Sequence, residues 1–409
     1  MSIDAAAPSI PPESVWGPTF DAGRATDAYI ATVPADDRAK SDAYFEGGYW
    51  IEFWSTLITV AVCALLLRVR FAARVRDLVA TRGAGPFLQS LAVAAAFIAV
   101  LSLLTLPWSL YTQYFREHQY AMSNYTAGGF LGEWALNVAI STAFLGVVIA
   151  GLYQLVRRVR ERWVWWAAAV TAVMILFVFT VQPVVLEPLF NDYQPLPAGE
   201  VRDSILALAK EAEVPVDDVF WFDASKQTKR ISANVSGLGG TARIALNDNL
   251  LHGTSLPEIR AVMGHEMGHY RLHHGLWLGA GFTIVLAIGY LVINRQFGRL
   301  QRRYGDRFGI RDLADPAGLP LAFAIFTVVM YLISPVTNTM IRTAEHQADA
   351  FGLDVAKEPH GFASVAMRLS TYRKLEPGAL EEVIFFDHPS GRARVERSMR
   401  WLADNPPVQ

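Results

Sequence analysis

Residues 254–294 read TSLPEIRAVMGHEMGHYRLHHGLWLGAGFTIVLAIGYLVIN. The first half of this stretch is polar and rich in histidine, whereas residues 275–294 contain no Asp, Glu, Lys or Arg. Twenty uncharged residues in a helix rise about 30 Å, which is the thickness of a bilayer's hydrocarbon core. The stretch therefore predicts a polar helix that leads directly into a membrane-spanning helix.

Five further stretches have the same character. Four of them are free of charge, and the fifth has Glu52 near its start and none from 53 to 67. Six such stretches in one chain are typical of a polytopic membrane protein rather than of buried soluble helices. The six predicted spans are residues 275–294 and these five further stretches, which are 48–67, 83–115, 134–156, 163–186 and 316–341.

Composition supports this interpretation and excludes several other classes. The 409 residues are 52% hydrophobic and 18% charged, too apolar for a disordered chain and low in charge for a soluble enzyme. A net charge of −2 provides no basic field for nucleic acid, so we expect no nucleic-acid partner. One cysteine, Cys63, excludes a disulfide framework and a cysteine-rich zinc module. The remaining charge predicts a water-exposed part mounted on a membrane frame.

The alternation of polar and apolar stretches predicts five regions. They are a polar N-terminal segment (1–47), a four-span membrane domain (48–186), a second polar domain (187–274) that ends in the histidine-rich helix and is the candidate catalytic domain once that helix is considered below, two further spans (275–341) and a C-terminal helical part (342–409). Within residues 187–274 we expect short strands near 217–222, 229–235 and 241–246.

Arginine counts predict the orientation. With six spans, the loops 68–86, 157–162 and 295–315 lie on one side and together hold 15 arginines, whereas the short opposite loop 116–133 holds only Arg116. The positive-inside rule places the arginine-rich loops in the cytoplasm, so the polar domain 187–274 is expected to be extracytoplasmic. The bias toward arginine over lysine favours a bacterial source, which predicts the inner (plasma) membrane.

The polar helix carries a metal-binding pattern. Ser255 and Glu258 form a capping-box spacing that starts the helix. His265 and His269 are four residues apart, so both imidazoles project from one face and can share a metal ion. Glu266 is turned about 100° from His265 and is placed to act as a general base. This is the H-E-x-x-H arrangement of zinc peptidases.

Zinc needs a third protein ligand. The metzincin pattern requires histidine at position 275, where this chain has Gly275. Helical phase turns His273 and His274 off the face of the first two histidines. Glu345 and Asp349, which are four apart after the last span, are better candidates: one carboxylate can ligate the metal and the other can accept the free N–H of a ligating histidine.

These residues resemble those of the integral-membrane zinc peptidases of the CAAX prenyl endopeptidase (sterile-24-like) family and, more distantly, the HtpX membrane proteases. The resemblance covers about 80–407. It is carried, besides the metal motif, by LPWSLY (106–111), EPLFNDYQPLPAGEVRDSILALAKE (187–211), SANVSGLGGTARIALNDNLL (232–251), AEHQADAFG (344–352) and DHPSGRARVE (387–396).

The resemblance implies a role for each matching residue. It implies one Zn²⁺ per chain, with His265, His269 and Glu345 as ligands, Glu266 as general base, Asp349 orienting a ligating histidine, and His388 and Arg394 facing the substrate carbonyl. It also implies a substrate site at Asn234 and at an edge strand of Arg243, Ile244, Ala245 and Leu246. The eukaryotic relatives place this domain in the cytosol, which conflicts with the orientation predicted from arginine.

The sequence as a whole predicts a mainly α, polytopic helical bundle of about six spans with a small α+β zincin-type catalytic domain. We expect a zinc metalloendopeptidase that acts on a peptide or protein and is in contact with membrane lipids. The resemblance to the CAAX proteases implies a substrate lipidated at its C-terminus, whereas a bacterial source leaves a signal-peptide remnant, a lipopeptide or a misfolded membrane protein open as well. Two alternatives stay open: an HtpX-like quality-control protease, and a non-catalytic membrane scaffold or lipid-binding chamber. The intact Glu266 argues against the scaffold.

Overall fold

Long helices form most of the chain in the computed structural model, which describes residues 9–237 and 242–407. The predicted class, a mainly α membrane bundle with a small α+β part, is confirmed. The helices are α1 Ala22–Ala31, α2 Ala35–Arg68, α3 Phe71–Ala80, α4 Pro86–Ser109, α5 Arg116–Gln119, α6 Ala127–Val159, α7 Trp163–Val181, α8 Glu200–Glu211, α9 Asp248–Gly253, α10 Leu256–Arg271, α11 His274–Phe308, α12 Leu319–Ala356, α13 Pro359–Leu369, α14 Ala379–Phe385 and α15 Gly391–Asp404.

Five helical segments of the described chain are long and apolar enough to cross a membrane. The longest, Ala127–Val181, has 55 residues and contains both α6 and α7. The helix breaks at Arg160, whose φ is 47° and ψ is −112°. Past this break, the cluster formed by Trp163, Val164 and Ala167 packs against Leu152 and Leu155 of α6. The third and fourth predicted spans are therefore present as two helices joined by a tight turn.

The arginine-rich loops contact one another. The Arg70 side chain donates to the backbone oxygen of Arg307 (2.8 Å), and Arg76 donates to Gly309 O (3.0 Å) and pairs with Asp315. The ends of α6 and α4 also meet, where Arg157 donates to Ser90 (2.7 Å). These contacts place loops 68–86, 157–162 and 295–315 at one end of the bundle.

The other end of the bundle carries the catalytic part. In the segment that precedes α6, the amide of Asn124 donates to Gln227 O (3.0 Å), and Gln227 in turn donates to Glu133 (2.6 Å) at the start of α6. The loop with few arginines thus contacts the catalytic part directly, while the arginine-rich loops lie across the bundle from it.

A four-stranded sheet forms the strand part of the catalytic domain. Its strands are β1 Tyr193–Pro195, β2 Val219–Phe222, β3 Ala233–Ser236 and β4 Arg243–Asn247, in the order β1-β2-β4-β3. β4 runs parallel to β2 and antiparallel to β3. The strands β2, β3 and β4 fall where the sequence predicts them, although residue 241, the first of the predicted strand 241–246, lies outside the described residues. The sequence did not predict β1.

The sheet and two helices enclose a common core. Ile205 on α8, Ile244 on β4, and Met263 and Met267 on α10 are fully buried in it. Large apolar side chains on one face of α10 thus fix that helix against the sheet, which leaves its other face for the histidines.

Candidate metal centre

The site begins where α10 crosses α12 at very short range. Glycines on α10 (Gly264 and Gly268) face small residues on α12 (Ala348 and Gly352). A Cβ atom added at Gly352 would lie 2.7 Å from the backbone nitrogen of His265. Only small residues allow this approach, and it is the approach that brings the acidic side chains of α12 to the histidines of α10.

The ligand atoms of three residues converge at the crossing. His265 Nε2 lies 3.1 Å from His269 Nε2 and 3.2 Å from Glu345 Oε2, and His269 Nε2 lies 3.3 Å from Glu345 Oε1. Ligands of a tetrahedral zinc ion at about 2.0–2.1 Å lie roughly 3.3 Å from one another. The spacing therefore fits a small tetrahedral cation, and a positive charge between these atoms would offset the repulsion of their lone pairs.

His265 is held by a carboxylate on its other ring nitrogen. His265 Nδ1 lies 2.8 Å from Asp349 Oδ1, which places the proton on Nδ1 and leaves Nε2 for the metal. Arg394 in turn donates two hydrogen bonds to Asp349, from Nε to Oδ2 (3.0 Å) and from Nη2 to Oδ1 (2.5 Å). Arg394 thus positions Asp349, a role that differs from the predicted contact with the substrate carbonyl.

The charge of these carboxylates favours a cation. Burial alone would lower the pKa of His265, but hydrogen bonds to Asp349 and Glu345, together with their charge, raise it to about 10. A site that holds a proton so firmly attracts positive charge, and a bound metal ion would take that place.

His269 has a second partner that the sequence did not predict. His274 Nδ1 lies 2.9 Å from His269 Nδ1, and His274 Nε2 lies 3.1 Å from Gln347 Oε1. With His269 Nε2 toward the metal, its Nδ1–H donates to His274, which donates onward to Gln347. His274 is not one of the three clustered ligand residues, as predicted, but its contact with His269 was not foreseen. The contact arises because α10 ends at Arg271: His273 takes a positive φ of 55°, and α11 starts in a new direction.

Glu266 lines a cavity beside the clustered histidines. The cavity has a volume of about 180 Å³ and is lined by His265, Glu266 and Glu345 together with residues of α13. Burial raises the pKa of the Glu266 carboxyl. A raised pKa suits a carboxylate that takes a proton near neutral pH and returns it.

His388 also reaches the cavity from the loop before α15. Its Nε2 lies 3.3 Å from Glu345 Oε2, and its Nδ1 lies 2.8 Å from Asp387 Oδ1. The second contact makes Asp387 the residue that fixes the ring. His388 is therefore close enough to the three ligand atoms to contact a group bound beside them.

Two family models match almost the whole chain. The model described as peptidase family M48 matches residues 195–401, and the one described as the CAAX prenyl protease N-terminal region with five membrane helices matches residues 24–192. The chain belongs to peptidase family M48. It is an integral membrane metalloprotease of the CAAX prenyl protease type, as the sequence predicted.

Relatives of this M48 peptidase include a bacterial and a eukaryotic protein. The metalloprotease YhfN of Bacillus subtilis is 30% identical over 76% of this chain and 74% of the relative. CAAX prenyl protease 1 of Saccharomyces cerevisiae is 24% identical over 74% of this chain and 70% of the relative. The crystal structure of S. mikatae Ste24p superposes with a TM-score of 0.72 at 20% identity, covering 90% of this chain and 89% of that one, and so has the same fold.

One prediction about the M48 domain needs correction. The segment of Arg243, Ile244, Ala245 and Leu246 is not an edge strand, because β4 is flanked by β2 and β3. Among the described strands the edge beside the metal centre is β3, and Ala233 on β3 lines the same cavity as His265. Asn234 does lie on that strand, and its Oδ1 is buried without a hydrogen bond among the described residues.

A second, larger cavity flanks the other end of β3. It has a volume of about 670 Å³ and is lined by Asn234 and Ser236, by His269 and His274, and by apolar residues of the membrane helices α7 and α11 such as Phe179 and Phe282. The two cavities therefore lie on either side of the histidine pair along β3, and the larger one opens among membrane helices.

Proposed function

We propose that this chain hydrolyses peptide bonds with one zinc ion held by His265, His269 and Glu345. The observation that carries the proposal is the convergence of these three residues, whose ligand atoms lie 3.1–3.3 Å apart, with a hydrogen-bond partner behind each histidine. Nitrogen and carboxylate ligands with an open fourth position suit a catalytic zinc site. Zinc bound there would supply a water of lowered pKa and would polarise the scissile carbonyl.

The chain's own residues then account for the proton transfers. Glu266, half-buried beside the ligands, takes a proton from the attacking water and delivers it to the leaving amine. His388, within 3.3 Å of Glu345, donates toward the oxygen that gains charge. Arg394 contributes indirectly, by fixing Asp349 and through it His265. No covalent intermediate with the enzyme is required.

The substrate backbone is proposed to pair, as an added strand, with β3, which is an edge of the sheet among the described strands. In that position the chain passes the histidine pair, with the cavity of about 670 Å³ near Ser236 and the cavity of about 180 Å³ near Ala233. The larger cavity is apolar and borders α7 and α11, so it suits an apolar side chain or a lipid attached to the peptide. A lipidated peptide is therefore the favoured substrate.

The test uses a farnesylated reporter peptide and the same peptide without its lipid. Protein purified in detergent is expected to cleave the lipidated peptide faster, and Glu266→Gln is expected to lose at least about 10²-fold in rate while keeping its zinc. Glu211→Gln, at an exposed site on α8, is the matched control and should retain activity. Near-normal cleavage by zinc-loaded Glu266→Gln would contradict the mechanism.

We propose that the chain lies in a bacterial plasma membrane with the catalytic face outside. The support is the asymmetry of 15 arginines against one in the short loops. Reporter fusions at residues 75 and 305 should behave as cytoplasmic, and a fusion at residue 125 as extracytoplasmic. The opposite pattern would invert the orientation without affecting the proposed chemistry.

A further inference from the structure

Arg373 occupies an unusual position in the smaller cavity. It follows α13, and its side chain lines the cavity together with His265, Glu266 and Glu345. Its backbone amide donates to Leu369 O (3.0 Å), which fixes the start of the side chain. Within residues 9–237 and 242–407, however, its guanidinium has no hydrogen bond and no ion pair.

The other arginines nearby are satisfied, which sets Arg373 apart. Arg394 in the same cavity binds both oxygens of Asp349. Arg368, near the end of α13, pairs with the buried Glu258. Asp387 is bound to His388 (2.8 Å), and Glu345 faces the two histidines of the metal centre. Among the described residues none of the nearby acids, Glu266 included, pairs with Arg373, so its five donors have no side-chain partner there.

An available guanidinium in this position favours an anion. Arg373 is half-buried, and burial lowers its pKa, yet an arginine stays protonated in proteins. A ligand carboxylate would supply the missing partner, since its two oxygens match the planar fork of the guanidinium.

The position of Arg373 near the start of β3 suggests which carboxylate it would bind. Ile231, Ser232 and Ala233, which lead into β3, line the same cavity as Arg373. A peptide paired with β3 would leave the strand at this end. The cavity, at about 180 Å³, is smaller than the ~300–1,000 Å³ of typical ligand pockets, and so suits the end of a chain better than a continuing one.

We propose that Arg373 binds the C-terminal carboxylate of the substrate and thereby selects a scissile bond close to the C-terminus. This inference rests on the proposed peptide hydrolysis for its biological meaning, but the binding step can be measured alone. Arg373 is then a specificity-determining residue, and its loss removes a preference for free C-termini while the metal centre stays intact.

The experiment compares two farnesylated peptides that differ only in a free or an amidated C-terminus. Binding is measured by fluorescence anisotropy to zinc-loaded protein carrying Glu266→Gln, so that hydrolysis does not interfere. The free acid should bind about 10- to 100-fold more tightly than the amide, the range expected for a charge-assisted pair. Adding Arg373→Gln should abolish the difference by weakening the acid alone, and Arg373→Lys should restore part of it.

Arg400→Gln is the matched control, because Arg400 is an exposed arginine on α15 whose loss should leave the preference unchanged. The proposal would be overturned if Arg373→Gln weakened the binding of both peptides equally. It would also be overturned if the variant still bound the free acid more tightly than the amide. If an amidated peptide that ends in glutamate bound as tightly as the free acid, a side-chain carboxylate would be sufficient, and the assignment to the C-terminal carboxylate would be overturned. If the parent protein cleaves neither peptide but binds the acid selectively, the proposed reaction fails while the role of Arg373 stands.

Discussion

Replacing Gly352 with alanine should damage the metal centre although Gly352 carries no functional group. The new Cβ would lie 2.7 Å from His265 N and 2.9 Å from Gly264 C, whereas ordinary contact begins at 3.4 Å. Both neighbours are backbone atoms, so α10 and α12 must separate by about 0.7 Å. Overpacking of this kind costs ~1–3 kcal/mol of stability.

The displacement also acts on zinc. His265 lies on α10 and Glu345 on α12, so separating the helices changes a ligand distance by several times the ±0.2 Å or so that a metal site tolerates. We expect zinc affinity to fall by at least the ~10–100-fold that loss of a supporting partner costs. The measurement is zinc retention against a competing chelator, together with thermal unfolding in detergent.

Gly275→Ala is the matched control. Gly275 lies at the start of α11, close to His269 in sequence, and a Cβ there would meet nothing within 4 Å. It should keep both zinc and stability. If Gly352→Ala retained zinc and unfolded as Gly275→Ala does, the close crossing of α10 and α12 would not be what assembles the site.

Three further predictions concern the supports of the site. Asp349→Asn should weaken zinc binding ~10–100-fold, because a neutral amide no longer raises the basicity of its histidine; unchanged chelator resistance would disprove this. His274→Phe should weaken zinc binding ~10-fold by freeing the ring of His269, and an affinity equal to that of the parent would remove His274 from the site. Glu258→Gln should destabilise the fold by ~2–3 kcal/mol, because burial raises the pKa of Glu258 but hydrogen bonds from Arg368, Ser255 and Ser364 outweigh burial and lower it. The stability that Glu258 provides is complete above its unfolded pKa of about 4.3 and is lost as the pH falls through its lower folded pKa. In unfolding scans at pH 3–7, the difference in stability between variant and parent should therefore be full above about pH 4.3 and should shrink as the pH falls below that value.

Local spacing was sufficient to predict most of the metal centre. His265 and His269 on one helix, and Glu345 and Asp349 on another, are pairs four residues apart, and each pair has to share a face of its helix. The capping box is also confirmed, since the Ser255 amide donates to Glu258 Oε2 (2.8 Å). Features that depend on the period of one helix can be read from one sequence.

Features that depend on how elements meet could not be read in the same way. His274 joins the site because the chain turns at His273, a backbone event that helical phase does not contain. The segment of β4 was taken for an edge because its residue pattern suits either an edge or a central strand, and strand order is set by tertiary packing. β1 was missed because it has three residues and ends in Pro195.

The most direct test of the account is the zinc content of protein purified in detergent, measured by mass spectrometry of the metal. We expect about one zinc per chain for the parent and for Glu266→Gln, and below about a tenth of that for Glu345→Ala, which removes one of three protein ligands. A parent without zinc, or a Glu345→Ala variant that keeps about one zinc per chain, would contradict the assignment of His265, His269 and Glu345 as the metal centre.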